Sequence, residues 1–369
     1  MEKGPLVSIL TVVFNQRHYI DQTISSVLGQ TYRHWEWIIL DDGSNDGTGE
    51  VIKKLRDGRI HYTSQRHAGD RRLTGSCNKA LSMCRGELVA LLDGDDYWPR
   101  DKLEAQVRCF DSDDVVLSYG ECCVVDPHGM KIDYMGLPED TGIACNDPVG
   151  SSIKMFLKRY CFMAVATVML RRSALVGIGG FVEAEGLFQD FATWTRLSLE
   201  GRFSPLPRCL GFYRRQPMSV SLNRNAEELY CSGIEYLKKF MAAYEGRLRG
   251  LGFEYDLKAL EEQWQEMIKT FVSFLPYNRA VFMLKIGSFE EAGSEFKNFM
   301  DKSPSIKTRF IYILIAFSGL LKVDIVNPLA ALKQRVLRMI GTLRPRQLKI
   351  PSYAQRADPS DGIQSSSCR

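Results

Sequence analysis

Leu88-Val89-Ala90-Leu91-Leu92-Asp93-Gly94-Asp95-Asp96 passes from an uninterrupted apolar run straight into a cluster of carboxylates around a glycine. An apolar run this short, closed by turn residues, has the pattern of a strand buried on both faces, as in a parallel sheet. The pattern also stands upstream, where Trp35-Glu36-Trp37-Ile38-Ile39-Leu40 leads into Asp41-Asp42-Gly43-Ser44. Carboxylates at the C-terminal ends of neighbouring parallel strands crowd negative charge into one crevice. That crowding is costly unless a cation or a donor-rich ligand occupies the crevice. A nucleoside diphosphate with a divalent metal meets both conditions.

Around these two stretches, apolar runs alternate with helical patterns. Strands are expected at Val7 to Phe14, Trp35 to Asp41, Ile60 to Thr63, Leu88 to Leu92 and Val115 to Tyr119. Helices are expected near Tyr19 to Gln30, Gly47 to Arg56, Leu73 to Met83 and Pro99 to Phe110. The alternation predicts an α/β fold with right-handed crossovers and a mostly parallel, Rossmann-like sheet flanked by helices. From residue 120 to 225 the pattern is less regular: a hairpin turn over Val124 to Met130, a strand over Ala166 to Leu170 and a helix from Asp190 to Glu200. Beyond residue 225 it is helical, near Ala226 to Tyr244, Leu257 to Phe274, Tyr277 to Ile286 and Ser288 to Met300.

The apolar stretch from Phe310 to Leu321 is shorter than the roughly 20 residues that span a bilayer. Lys333, Arg335, Arg338, Arg344, Arg346 and Lys349 follow it. An apolar helix with a basic end can lie in a membrane surface, attracted to anionic lipid. A buried helix with a solvated basic end fits the same pattern. Residues 346–369, rich in polar residues, are expected to be disordered.

Composition narrows the function classes. The chain of 369 residues is 45% hydrophobic and 25% charged, enough for a sizeable soluble core. A net charge of +4, with no basic stretch interleaved with aromatics in the N-terminal two thirds, argues against a nucleic-acid partner. The 10 cysteines contain no C-x-x-C pair and no histidine at zinc spacing, so free thiols in a reducing compartment are expected. Met1-Glu2-Lys3-Gly4-Pro5 carries no apolar leader, which predicts a cytoplasmic enzyme.

Read in order, Val7 to Asn15, Ser26-Val27-Leu28-Gly29-Gln30-Thr31-Tyr32, Trp35 to Asp46, Asn78-Lys79-Ala80-Leu81, Arg85-Gly86-Glu87 and Leu91 to Pro99 resemble the bacterial-type family 2 glycosyltransferases. These are inverting enzymes of the GT-A fold. The resemblance is strong over residues 6 to 110, moderate to about 222 and weak beyond. It implies a GT-A domain over 1–225, with a nucleotide-sugar half (1–120) and an acceptor half (121–225), a helical extension over 226–345 and the tail.

The resemblance also implies roles. Val12 and Phe14 would line the nucleobase, and Asp42 would accept a hydrogen bond from a base N–H, a strong charge-assisted contact. Asp93-Gly94-Asp95 resembles the DXD motif, whose carboxylates approach a diphosphate through Mg²⁺ or Mn²⁺, hard cations that take oxygen ligands. Asp95 is then the direct metal ligand, Asp93 faces ribose or metal, and Asp96 shares the metal or orders the loop. Asp190, in Gln189 to Leu197, resembles the catalytic Asp motif and would take the acceptor hydroxyl's proton. A family Tyr-Arg-x-His segment reads Tyr213-Arg214-Arg215-Gln216 here, with Gln216, which would donate to a phosphate oxygen, in place of the histidine ligand. Arg214 or Arg215, and Arg71 or Arg72 in the loop before Leu73, would meet the diphosphate.

The implied activity is inverting transfer of a sugar from a nucleotide diphosphate sugar, a UDP-sugar before others, to a hydroxyl of a glycan or glycolipid acceptor. The implied setting is polysaccharide, O-antigen or glycolipid synthesis, with residues 310–349 at the inner face of the cytoplasmic membrane. A sugar-phosphate nucleotidyltransferase would need a Gly-rich phosphate loop where Phe14-Asn15-Gln16-Arg17-His18-Tyr19 stands. A non-catalytic nucleotide-binding scaffold would have no use for clustered carboxylates.

Overall fold

A computed structural model describes residues 4–67, 73–158, 161–182, 189–216, 226–253, 256–302, 311–315, 318 and 326. Strands β1 (Val7–Val13), β2 (Trp35–Asp41), β3 (Ile60–Ser64) and β4 (Leu88–Leu91) alternate with helices α1 (Ile20–Leu28), α2 (Thr48–Ile52) and α3 (Leu73–Met83). Helix α4 (Lys102–Val107) leads to β5 (Val115–Val125) and β6 (Lys131–Met135), then to α5 (Thr141–Cys145), α6 (Ile153–Lys158), β7 (Met169–Arg171), α7 (Arg172–Gly177), α8 (Gln189–Leu197) and β8 (Arg202–Arg214). The C-terminal helices are α9 (Ala226–Ala243), α10 (Glu245–Gly250), α11 (Leu257–Lys285) and α12 (Phe289–Lys302).

The strands form one sheet in the order β3-β2-β1-β4-β7-β5-β6, with β8 paired to β5. β1 to β4 are mutually parallel, β7 runs antiparallel to β4 and β5, and β8 runs parallel to β5. Alternate residues of β1, β2 and β4 go to opposite faces. Leu10, Ile38, Leu40, Val89 and Leu91 join one core with Leu81, Trp194 and Phe203. Ile9, Trp37, Ile39, Leu88 and Ala90 join the other with Ile24, Trp98 and Leu103. Both faces are therefore covered, which is why these strands read as continuous apolar runs.

Sequence reading places the first four strands within a residue or so and misjudges the later ones. β5 runs on through Gly120, where the expected strand stopped. A Cβ at Gly120 would fall 2.5 Å from Leu210 Cδ1, so the glycine admits β8 rather than ending the strand. β8 went unread because Pro205 and Pro207 break its alternation; among the described strands it pairs with β5, through shifted registers where prolines are tolerated, and Phe212 adds a bridge to Tyr97. α11 passes through Pro276, where two helices were expected. Packing of Phe274 and Tyr277 against Phe299 offsets the hydrogen bond the proline removes.

The helices beyond residue 226 divide between two cores. Leu237, Phe240, Met241 and Trp264 belong to the core that holds α8, and Trp264 Nε1 donates to the Leu157 carbonyl at 2.8 Å. Ala280, Phe282, Leu284, Ala292, Phe296 and Phe299 form a third core, joined by Ile132 of β6 and by Ile311, Tyr312, Leu314 and Ile315. The described part of the 310–321 stretch thus packs inward, although Ile313 is exposed. The basic residues 333–349 and the tail lie outside the described residues. No helix among the described residues is long and apolar enough to cross a membrane. No disulfide bond joins the nine described cysteines.

One buried carboxylate fastens the edge of the sheet opposite the acidic clusters. Glu36, 3% exposed, accepts from Ser8 Oγ at 2.7 Å and from Arg85 N and Nε at 2.6 and 2.8 Å, while Gly86 N donates to Ser8 Oγ. Burial raises the Glu36 carboxyl, but the bonds from Ser8 and Arg85 outweigh it and hold it below the usual range. Glu36→Ala leaves Ser8 Oγ and Arg85 N without their acceptor. Urea unfolding should show a loss of about 2 kcal/mol, with nucleotide affinity unchanged because Glu36 opens β2 and Asp42 follows its end.

Candidate active site

The register Val7↔Trp35 and Val7↔Leu88 brings the C-terminal ends of β2, β1 and β4 side by side, so Asp42, Phe14 and Asp93 open onto one edge of the sheet. The two carboxylates of the first cluster have different work. Asp41 is 2% exposed and shapes the turn, accepting from Ser44 N at 2.8 Å and from the Tyr62 hydroxyl at 2.7 Å. Asp42 turns into a polar pocket: Gln65 Nε2 donates to its Oδ1 at 2.5 Å, and His67 Nδ1 lies 2.8 Å from its Oδ2. Gln65 Oε1 in turn accepts from Lys79 Nζ at 2.9 Å. The His67 ring stacks on Phe14, centroids 4.0 Å apart and planes within 10°. Phe14 is 38% exposed and Val12 half-buried, so an open aromatic surface stands beside a carboxylate acceptor.

The second cluster is held in a tight loop after β4. The Thr23 hydroxyl of α1 lies 2.9 Å from the Gly94 carbonyl and 2.7 Å from that of Asp96. At Gly94 a Cβ would fall 2.0 Å from Gln16 Oε1 and 2.7 Å from Val13 Cγ1, so only glycine lets the loop pass over β1. Asp95 Oδ2 accepts from Gln216 Nε2 at 2.7 Å, and Gln16 Nε2 lies 3.4 Å from Oδ1. Asp96, 1% exposed, accepts from Arg214 N at 2.8 Å.

Arg214 faces inward. Its guanidinium is 2% exposed and spent on protein: Nε donates to the Asp95 carbonyl at 2.9 Å, the two terminal nitrogens to Asp126 and Pro127 carbonyls and to Gln22 Oε1. It also lies over the Tyr19 ring, 4.7 Å from the centroid. A guanidinium so committed braces the Asp95-Asp96 loop and the turn after β5. Arg71 and Arg72 lie outside the described residues.

The carboxylates act on one another. Desolvation first, then Asp95 and Asp190, push Asp93 up to about 7, although its side chain opens to the crevice. Asp95 is raised by burial, against the opposing bonds of its own backbone N–H and Gln216 and the charge of Arg214. Burial drives Asp96 well above the ordinary range, with Asp95 and Asp93 adding to it. Asp190 stands in the first turn of α8, where burial raises it to about 6 against the backbone N–H groups of Phe191 and Asp190. The fold thus gathers Asp93, Asp95, Asp96 and Asp190, from two segments far apart in sequence, into one electrostatic unit.

Among the described residues, no three His, Cys, Asp or Glu side chains converge as ligands for one metal ion. A magnesium-like cation at a phosphate site needs only one or two protein carboxylates, because phosphate oxygens and water complete its shell. Carboxylates raised first by desolvation and, at Asp93 and Asp96, by one another, with the nearest guanidinium already committed, fit such a cation.

Gln16, Gln65, His67 and Lys79 belong to this site but were not among the expected site residues. Amides and a lone loop histidine carry no periodicity or spacing. The positions of Gln16 just past β1 and of Lys79 within the family-like Asn78-Lys79-Ala80-Leu81 were the available signals.

Residues 8–160 match the family model described as Glycosyl transferase family 2. TuaG of Bacillus subtilis (strain 168), ascribed to teichuronic acid biosynthesis as a glycosyltransferase, is 32% identical over 227 residues, 60% of this chain and 83% of that protein. The Escherichia coli UDP-Glc:alpha-D-GlcNAc-diphosphoundecaprenol beta-1,3-glucosyltransferase WfaP is 30% identical over 234 residues, 62% of this chain and 85% of that protein. Among solved structures, S. aureus TarS 1-349 in complex with UDP-GlcNAc superimposes with a TM-score of 0.52 at 15% identity, covering 92% of this chain and 93% of that one, a likeness of fold.

Proposed function

The chain belongs to glycosyl transferase family 2, and on that premise we propose that it is an inverting, metal-dependent enzyme that transfers a sugar from a UDP-sugar to a hydroxyl of a lipid-linked glycan. Its fold is the GT-A fold, and transferase chemistry replaces the nucleotidyltransferase and scaffold alternatives. The observation that carries the mechanism is the juxtaposition of the Phe14–Asp42 pocket with Asp93 and Asp95 where β1, β2 and β4 end, and with Asp190 of α8, whose charge acts on Asp93.

Phe14 and Val12 offer the base an apolar surface, and Asp42 accepts from its N–H while Gln65 and His67 hold the carboxylate in place. Asp93 lies beside the ribose and diphosphate. Asp95 would hold the metal; Asp96, buried against Arg214 N, would order the loop rather than share the metal. A bound Mg²⁺ or Mn²⁺ would neutralise the charge that develops on the departing nucleoside diphosphate. Gln216, in place of the expected histidine, steers Asp95 through its amide N–H. Asp190, raised to about 6, is still mostly ionised at neutral pH and basic enough to take the acceptor hydroxyl's proton as it attacks the face of the sugar opposite the leaving group.

A UDP-sugar and a diphosphoundecaprenol-linked acceptor are favoured because WfaP, one of the relatives, is named for that donor and acceptor. Such an acceptor places the work at a membrane surface, reached through the basic residues 333–349. Incubation with UDP-[¹⁴C]glucose, Mn²⁺ and GlcNAc-diphosphoundecaprenol should move label into the butanol-extractable lipid, with the β-anomer in the product. Label that stays in the aqueous phase with this donor, and with UDP-GlcNAc in its place, would contradict this choice of donor and acceptor.

A further inference from the structure

We propose that the C-terminal helical extension sets the position of Asp95, and so the crevice's affinity for a divalent cation, through Lys285, Asp133, Arg215 and Gln216. The inference rests on the reading of Asp95 as metal ligand. Lys285 ends α11, and its Nζ donates to the Ile132 carbonyl of β6 at 2.9 Å. The Ile132 side chain packs against the third core, which holds Phe282 and Phe296. One residue of β6 is thereby tied to the extension by both its backbone and its side chain.

The next residue carries the tie inward. The Asp133 carboxylate lies 3.7 Å from an Arg215 terminal nitrogen, with the two side chains 8% and 16% exposed. Lys285 and Arg215 both oppose the rise that burial imposes on Asp133, which puts all three in one electrostatic group. Arg215 N donates to the Val125 carbonyl at 2.9 Å, which fixes the backbone where Gln216 begins to reach toward Asp95. Gln216 Nε2 then holds Asp95 Oδ2 at 2.7 Å. The links are the Lys285 hydrogen bond, the Asp133–Arg215 ion pair and the Gln216 hydrogen bond, joined by the backbone between 132 and 133 and between 215 and 216. A low-exposure ion pair of this kind contributes little net stability but fixes geometry. Asp133 and Lys285 are therefore positioning residues. Groups that orient a metal ligand typically change metal affinity by about 10- to 100-fold when removed.

The test is Mn²⁺ binding, read by the electron paramagnetic resonance of free Mn²⁺, on the full chain with UDP present. Lys285→Met and Asp133→Asn should each weaken Mn²⁺ binding about tenfold, and Lys285→Arg should restore it. A purely structural role would lower the melting temperature of Lys285→Met and leave the Mn²⁺ affinity of the folded protein at the wild-type value; that result overturns the proposal. Asp133→Asn, nearly isosteric, decides the case if Lys285→Met does not fold. Failure of the wild-type chain itself to bind Mn²⁺ would remove the metal reading of Asp95, and the relay with it, which distinguishes the two failures.

Discussion

Asp190→Asn is expected to slow transfer by about 10²- to 10⁴-fold, the usual contribution of a positioned general base, while UDP binding in Mn²⁺ stays at the wild-type level. Asparagine keeps the size and the hydrogen bonds at the start of α8 and loses only the ability to take a proton. The pH profile supplies an independent check. Burial raises Asp190 to about 6, and the base works ionised, so wild-type transfer should fall as pH drops through about 6 and level off above it. Stability runs the other way. In the window between the ordinary aspartate value and about 6 the folded state binds more protons than the unfolded one, so stability falls as pH rises through that window. Asp190→Asn removes that loss, and the variant should melt above the wild type at neutral pH. A slower but more stable enzyme is the signature of a carboxylate kept for chemistry at the expense of the fold. Full turnover in Asp190→Asn would exclude Asp190 as the base.

Asp95→Ala carries the second large effect. Lewis-acid stabilisation of a leaving diphosphate is worth several kcal/mol, so kcat/KM should fall on the order of 10³-fold. Unlike Asp190→Asn, this variant should also lose the Mn²⁺-dependent part of UDP binding. The fold should survive, because the neighbouring Asp96, Thr23 and Arg214 hold the loop and the bond from Arg214 Nε goes to the Asp95 carbonyl rather than its side chain. The pair separates two roles within one electrostatic unit: loss of the base spares binding, and loss of the metal ligand does not. Wild-type UDP affinity in Asp95→Ala with Mn²⁺ present would take the metal away from Asp95.

The sheet that carries both groups was legible where burial imposes a pattern. β1, β2 and β4 are covered on both faces, so their apolar runs and the acids that follow them mark the crevice without ambiguity. Legibility ended where long-range pairing decides. β8 is assembled on β5 despite two prolines, and the space made by Gly120 is visible only once Leu210 lies over it. The committed state of Arg214 shows the same limit. Its charge suggested a phosphate ligand, while its partners Gln22, Asp126 and Pro127 come from segments that no local spacing connects to it. Gln16 and His67 depend on the meeting of loops that follow different strands, and that meeting leaves no mark in composition.

The measurement that bears most directly on the central claim is calorimetric titration of the wild-type chain with UDP, GDP, CMP and dTDP, each in Mn²⁺ and in EDTA. A metal-dependent donor crevice predicts that UDP binds in Mn²⁺ and at least about tenfold more weakly in EDTA, because a cation held by Asp95 would offset the diphosphate's charge. Binding of equal strength with and without metal, or no binding of any of the four, would contradict it.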